Sequence, residues 1–264
     1  MISHMSTTTK YLRGAIISGC VLSLLTPFIV STSLFFPFIT GKAFFFRILV
    51  EIIFALWLIL LVRDRSVRPV RSPILYALGI FGVIITLATV FSQYPYHSFW
   101  SNFERMEGLI TYLHLAAYWL VLVSVFKTKK LWRWFLNTSV AVSLLITFYG
   151  FFQLFGWAAI HQGSTRLDAT LGNSIYLAVY LLINIFIILY LWADQATVRW
   201  QRVTYGIITV LELIVLYYTG TRGAILGLVG GLFLTGILIL WRGREVISKK
   251  TKQILIGLFV RQLS

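Results

Sequence analysis

The stretch Tyr217-Tyr218-Thr219-Gly220-Thr221-Arg222-Gly223-Ala224 decides how this chain is read. It separates two apolar runs, Val203–Leu216 and Ile225–Trp241, and Arg222 is the only basic residue between Arg202 and Arg242. An arginine in the middle of a bilayer costs roughly 2.5–3.5 kcal/mol on insertion scales. A break at this point avoids that cost: two membrane helices meet at a tight turn, with Arg222 at the water boundary. Gly220 and Gly223 suit such a turn, because glycine accepts positive φ without steric cost. Gly223, Gly227 and Gly231 follow at four-residue spacing, a small-residue face along which another helix can come close. The turn then presents one cation to a cavity at the membrane boundary. The simpler alternative is a hairpin whose arginine reaches lipid phosphates.

Composition points the same way. The 264 residues are 59% hydrophobic and 12% charged, with a mean hydropathy of +0.87. A soluble domain of this length could not hide so much apolar surface, and repeated apolar runs near twenty residues read as spanning helices. The fold class is therefore all-α, a polytopic transmembrane helix bundle. Cys20 is alone, which excludes an internal disulfide and a cysteine metal site. The first apolar run lacks a small-residue cleavage site and reads as an anchor.

Taken in order, the expected helices are 14–36 with a kink at Pro27, 43–62, 74–91, 108–126, 134–155, 175–192, 203–218 and 223–241. That is about eight complete spans, plus the start of a ninth at Ile254–Val260. Residues 1–13 form a tail and 14–264 the transmembrane domain, which looks truncated at its C-terminal end. Asn173 or Ser174 could cap the sixth helix. With odd-numbered helices running outward, seventeen Lys and Arg fall on one side and five on the other: Lys42, Arg47, Arg105, Arg166 and Arg222. The positive-inside rule then places the N-terminus of this multi-pass protein in the cytoplasm. The net charge of +15 is thus an orientation signal and does not call for nucleic acid as a partner.

Arg105, Arg166 and Arg222 share the outer side, where arginine's planar fork suits phosphate oxygens. Local pairing is the alternative: Arg105 with Glu104 or Glu107, and Arg166 with Asp168. Glu51 and Glu212 lie within spanning runs and are candidates by default. Arg47 stands one turn before Glu51, so a local pair is open there. Glu212 is too far along its helix from Arg222 for a direct pair and should meet a polar group on a neighbouring helix, or sit protonated. His97, His114 and His161 could act as general bases, but no metal-binding spacing occurs. No nucleotide-binding motif is present either. Trp100, Trp157, Trp192 and Trp241 fall near helix ends, as an aromatic belt would.

Three segments carry a family resemblance: Phe103-Glu104-Arg105-Met106-Glu107-Gly108-Leu109, Arg166-Leu167-Asp168-Ala169-Thr170-Leu171-Gly172-Asn173 continuing to Tyr176-Leu177-Ala178, and Thr219-Gly220-Thr221-Arg222-Gly223-Ala224. In this order they resemble the bacterial O-antigen ligase and polymerase family of membrane glycosyltransferases. The third matches the family's Thr-x-Ser-Arg-Gly/Ala signature, with Thr221 in place of serine. The second is similar to its Gly-Thr-Phe-Gly-Asn pattern. The resemblance implies transfer of a glycan from an undecaprenyl-pyrophosphate carrier to an acceptor glycolipid or glycoprotein at the outer face, without cofactor or metal. Arg222, with Arg105 and Arg166, would bind the pyrophosphate and stabilise the leaving charge. The family's catalytic histidine is expected in a large outer loop that nothing in this chain matches, so residues 1–264 alone are not expected to be a competent transferase. A transporter or flippase for a lipid-linked or anionic substrate, using Glu51 and Glu212 as coupling carboxylates, is the alternative from another class. A non-catalytic membrane scaffold is a third reading.

Overall fold

The structure, a computed structural model, describes residues 7–102, 104–161, 165–195 and 198–242. Among the described residues it is helical with no strand. The α-helices are α1 (Thr7–Leu22), α2 (Thr40–Arg63), α3 (Pro73–Val90), α4 (Pro95–Trp100), α5 (Leu109–Val125), α6 (Lys129–Leu154), α7 (Ser174–Gln195), α8 (Arg199–Tyr218) and α9 (Arg222–Arg242). Six are long and apolar enough to cross a membrane: α1 with its continuation to Phe28, α2, α3, α6, α7 and α9. α5, at 17 residues, and α8 fall outside that set. The expected ninth run, Ile254–Val260, lies outside the described residues.

The first helix departs most from its expected bounds of 14–36. It begins at Thr7, ends at Leu22 and tightens into a 3-10 turn over Ser23–Phe28. Ser23 Oγ donates to the Cys20 carbonyl at 2.7 Å and Thr26 Oγ1 to the Ser23 carbonyl at 2.6 Å. Such hydroxyl-to-backbone bonds compete with the helical ladder, and Pro27 has no N–H to continue it. Elsewhere side-chain caps set the starts. Ser72 Oγ accepts from Leu75 N ahead of Pro73 in the first turn of α3, and Asn173 Oδ1 accepts from Ile175 N at the head of α7. Thr128 caps α6, so α6 starts at Lys129 rather than at 134. The short α4 lies within a stretch read as loop; Pro95 suits its first turn.

Polar rungs fix the helix directions. Arg47 and Glu51 of α2 reach Thr111 and His114 of α5 in the same order, so α2 and α5 run parallel. Asn137 and Ser143 of α6 reach Tyr205 and Glu212 of α8, so these two also run parallel. One end of the bundle therefore gathers the starts of α2, α5, α7 and α9, and is called the turn end below. The opposite end is basic and knitted to backbone carbonyls: Arg13 to Val125 at 3.1 Å and Lys127 to Arg68 at 3.0 Å, with an Arg133–Asp194 ion pair at 2.9 Å. There burial, with Arg13's charge added, pushes the Lys127 ammonium below its usual range.

Two apolar cores result. α1, α2 and α5 close on Ile16, Ile53, Leu60, Val121 and Val125, and the start of α6 adds Phe135. α6, α7 and α8 close on Ile146, Leu181, Ile185, Val215 and Leu216. α3 flanks the first core and buries no residue. α9 flanks the second, where a Cβ at Gly227 or Gly231 would meet Leu182 or Phe186 of α7. The small-residue face is thus used at these two positions, whereas Gly223 meets nothing. At the turn end Lys42 Nζ donates to the Thr170 carbonyl at 2.8 Å, and the Phe38 and His161 rings meet at 4.5 Å, joining the two halves.

Candidate anion site at the turn end

α8 ends at Tyr218, and Thr219 N–H folds back onto the Val215 carbonyl at 3.0 Å. Gly220 takes φ +62°, the left-handed conformation that ends a helix, and α9 starts two residues later at Arg222. The turn is the one expected from its sequence, although Gly223 sits inside α9 and is not part of it.

The loop between α6 and α7 clamps this turn. Arg166 Nε donates to the Thr219 carbonyl at 2.7 Å, and its Nη2 donates to Thr221 Oγ1 at 2.9 Å. Leu167 N–H bonds the Tyr218 carbonyl at 3.3 Å. The Arg166 side chain lies across Gly220 so closely that a Cβ there would touch it. Thr221 Oγ1 also approaches the Ser174 carbonyl at the head of α7, at 3.4 Å. Arg166 and Arg222 therefore belong to one construction with different duties. The fork of Arg166 holds the turn. The Arg222 guanidinium is exposed and makes no hydrogen bond or ion pair among the described residues. It stands on the first residue of α9, where the helix N-terminus adds positive potential.

Asp168 is not the partner of Arg166. It is fully buried, and its carboxylate accepts from Gln153 Nε2 at 2.7 Å, His161 N at 2.9 Å and His161 Nδ1 at 3.3 Å. Gln153 Oε1 in turn accepts from the N–H groups of Asp168 and Ala169 at 3.2 and 2.8 Å. Asp168 can only accept when ionised, so Nδ1 of His161 carries its hydrogen and Nε2 is left as the basic nitrogen. That is the orientation a general base needs. Gln153, a lone amide in the last turn of an apolar helix, is the residue sequence reading passed over; its isolation there was the available signal.

Arg105 occupies the neighbouring ground. It forms no ion pair with Glu104 or Glu107 among the described residues. It lines two adjoining cavities of about 180 and 310 Å³, whose shared walls include Phe38, Leu171 and Tyr176. The larger also takes in Lys42, Arg47 and Glu107. Gly172, at φ +65°, lets the loop pass against the Phe38 ring where a Cβ would collide. The loop that carries Arg166 thus also walls the cavity of Arg105.

The remaining candidates separate. Arg47 does not pair with Glu51; its Nη2 donates to the Met106 carbonyl and, at 2.8 Å, to Thr111 Oγ1. Glu51 instead meets His114 Nε2 at 3.1 Å. Glu212 meets a neighbouring helix, accepting from Ser143 Oγ. His97 lies exposed on α4. Among the described residues no three His, Cys, Asp or Glu side chains come together as a metal site would need. No family model, curated protein or solved structure matches the chain.

Proposed function

We propose that this chain is part of an O-antigen ligase-like membrane glycosyltransferase, holding an undecaprenyl-pyrophosphate-linked glycan at the turn end. The observation that carries this reading is the division of labour on one turn: Arg166 is spent on Thr219 and Thr221, and Arg222 beside them is unpaired and exposed. A guanidinium held at a fixed place without a partner is what a phosphate oxygen needs. The cavity of Arg105, Lys42 and Arg47 next to it offers room for a second phosphate or the first sugars. All three segments that resemble the family contribute to this end.

In this reading α5 and α8 cross the membrane beside their parallel partners, giving eight spans. The basic end then faces the cytoplasm of a bacterial inner membrane, and the turn end faces outward. Glycan transfer to an acceptor glycolipid or glycoprotein takes place there, with the arginines stabilising the pyrophosphate leaving group. The transporter alternative names Glu51 and Glu212 as coupling carboxylates, and the complete burial of Glu212 against Ser143 counts against the use of that residue.

The test is binding of undecaprenyl pyrophosphate to the chain in nanodiscs, beside Arg222→Ala. Loss of a charge-assisted hydrogen bond should weaken binding by about 10- to 100-fold, corresponding to about 1.5–3 kcal/mol. Added inorganic pyrophosphate should compete. Equal binding by the two proteins would remove Arg222 from the site.

A further inference from the structure

Glu51 lies in the middle of α2, eleven residues from Thr40 and twelve from Arg63. At about 1.5 Å per residue that is roughly 17 Å from either end, the centre of a hydrocarbon layer about 30 Å thick. Its side chain is 67% exposed, among the outward-facing Ile48, Ile52 and Leu58. A carboxyl group at this depth, facing out of the bundle, is costly unless it is neutral or paired.

The geometry of its partner settles how it is paired. His114 Nδ1 stands 2.7 Å from the Ile110 carbonyl oxygen. A carbonyl only accepts, so Nδ1 carries a hydrogen. His114 Nε2 stands 3.1 Å from Glu51 Oε1. Two lone pairs would repel at that distance, so a proton lies between them. It sits on the carboxyl, giving two neutral groups, or on the imidazole, giving an ion pair; in both cases the pair is neutral overall and holds one proton.

Arg47 and Tyr118 flank the pair that holds this proton. Arg47 stands one turn toward the turn end on α2, with its guanidinium bonded to the Met106 carbonyl and Thr111 Oγ1. α5 brings His114 itself and Tyr118, which is engaged with Ser23 and the Cys20 carbonyl of α1. With the proton in place, Arg47 leaves the cluster at +1; once it departs, Glu51 and Arg47 sum to zero. Neither state strands an uncompensated carboxylate in hydrocarbon. We propose that Glu51 and His114 form a one-proton binding site at the bilayer midplane, open to the lipid-facing side of the bundle. The inference does not depend on the glycan-transfer reading.

A hydrophobic carbodiimide tests it on the unmodified chain in lipid nanodiscs. Dicyclohexylcarbodiimide takes the acid's proton on nitrogen, the carboxylate oxygen bonds its central carbon, and rearrangement leaves a stable N-acylurea retaining the whole reagent. Mass spectrometry should find this adduct on Glu51 and far less on Glu212, which is fully buried between helices six residues from the end of α8. Above the midpoint of the pair, labelling should fall about tenfold per pH unit, because the reagent needs the proton. His114→Leu should give labelling that no longer varies with pH across the neutral range. A water-soluble carbodiimide should modify Glu104 and Glu107 but spare Glu51. No Glu51 adduct with the hydrophobic reagent, or equal modification by the water-soluble one, would overturn the site.

Discussion

The α2–α5 contact and the α6–α7–α8 contact both carry polar side chains inside apolar helices, yet they dispose of them in opposite ways. Between α2 and α5 the rungs are charged: Arg47 on Met106 and Thr111, and Glu51 on His114, with Glu51 facing outward. Between α6 and its partners the rungs are Asn137–Tyr205 at 2.7 Å, Ser139–Asn184 at 3.0 Å and Ser143–Glu212, with Asn184 and Glu212 inside the core. The lesson is that an acid in a spanning helix is not by itself a working group. Glu212 is sealed between helices and acts as a packing element. Glu51 is open and has a proton-sharing neighbour.

The sealed style continues to the turn end in Asp168, and removing it should break the structure most. Asp168→Ala leaves the backbone N–H and Nδ1–H of His161, and one of the two Gln153 Nε2 hydrogens, without their acceptor, and at about 1–3 kcal/mol per unsatisfied donor should cost about 3–5 kcal/mol. Denaturant unfolding in detergent micelles reads this; a loss under about 1 kcal/mol would mean that water already reaches the network. Arg166→Ala comes next, at about 1.5–3 kcal/mol, since two hydrogen bonds to a charged group are lost from the turn. Arg166→Lys should not restore them, because a point-like ammonium does not span both acceptors as the fork does. Glu212→Leu should fall within about 1 kcal/mol of the parent, because an apolar side chain of similar size replaces a buried acid and Ser143 Oγ retains the Val140 carbonyl at 3.0 Å. A loss as large as that of Asp168→Ala would erase the distinction drawn above. Arg222→Ala should alter stability least, by about 0.5 kcal/mol or less, while reducing pyrophosphate binding. A large loss of stability would show that Arg222 holds the turn.

The turn was legible because it depends on local chemistry: Gly220 supplies the left-handed residue, and an isolated Arg222 cannot lie mid-membrane. The positions of most helices were legible for the same reason, since apolar run length reports them directly. What escaped was whatever a distant residue decides. Arg166 and Asp168 are two apart in sequence and of opposite charge, so sequence favours a pair; the fold gives one to the Thr219 carbonyl and the other to Gln153. Arg47 and Glu51 repeat the lesson, since α5 supplies a better partner to each. The early end of α1 depends on two hydroxyls and a proline acting together, which no single residue announces.

The parallel rungs between α2 and α5 also have a consequence for how the chain is made. Arg47 and Glu51 emerge from the ribosome 64 and 63 residues before Thr111 and His114, their partners. At about 5–20 residues per second, α2 waits on the order of 3–12 s with an arginine and a glutamate whose partners in the folded protein have not yet been made. During that interval α2 is a poor candidate for release into lipid, and the insertion machinery must shelter it while α3 passes. Assembly of the first half is therefore gated by the synthesis of α5, and slowing translation between α3 and α5 should prolong contact between α2 and the insertion channel.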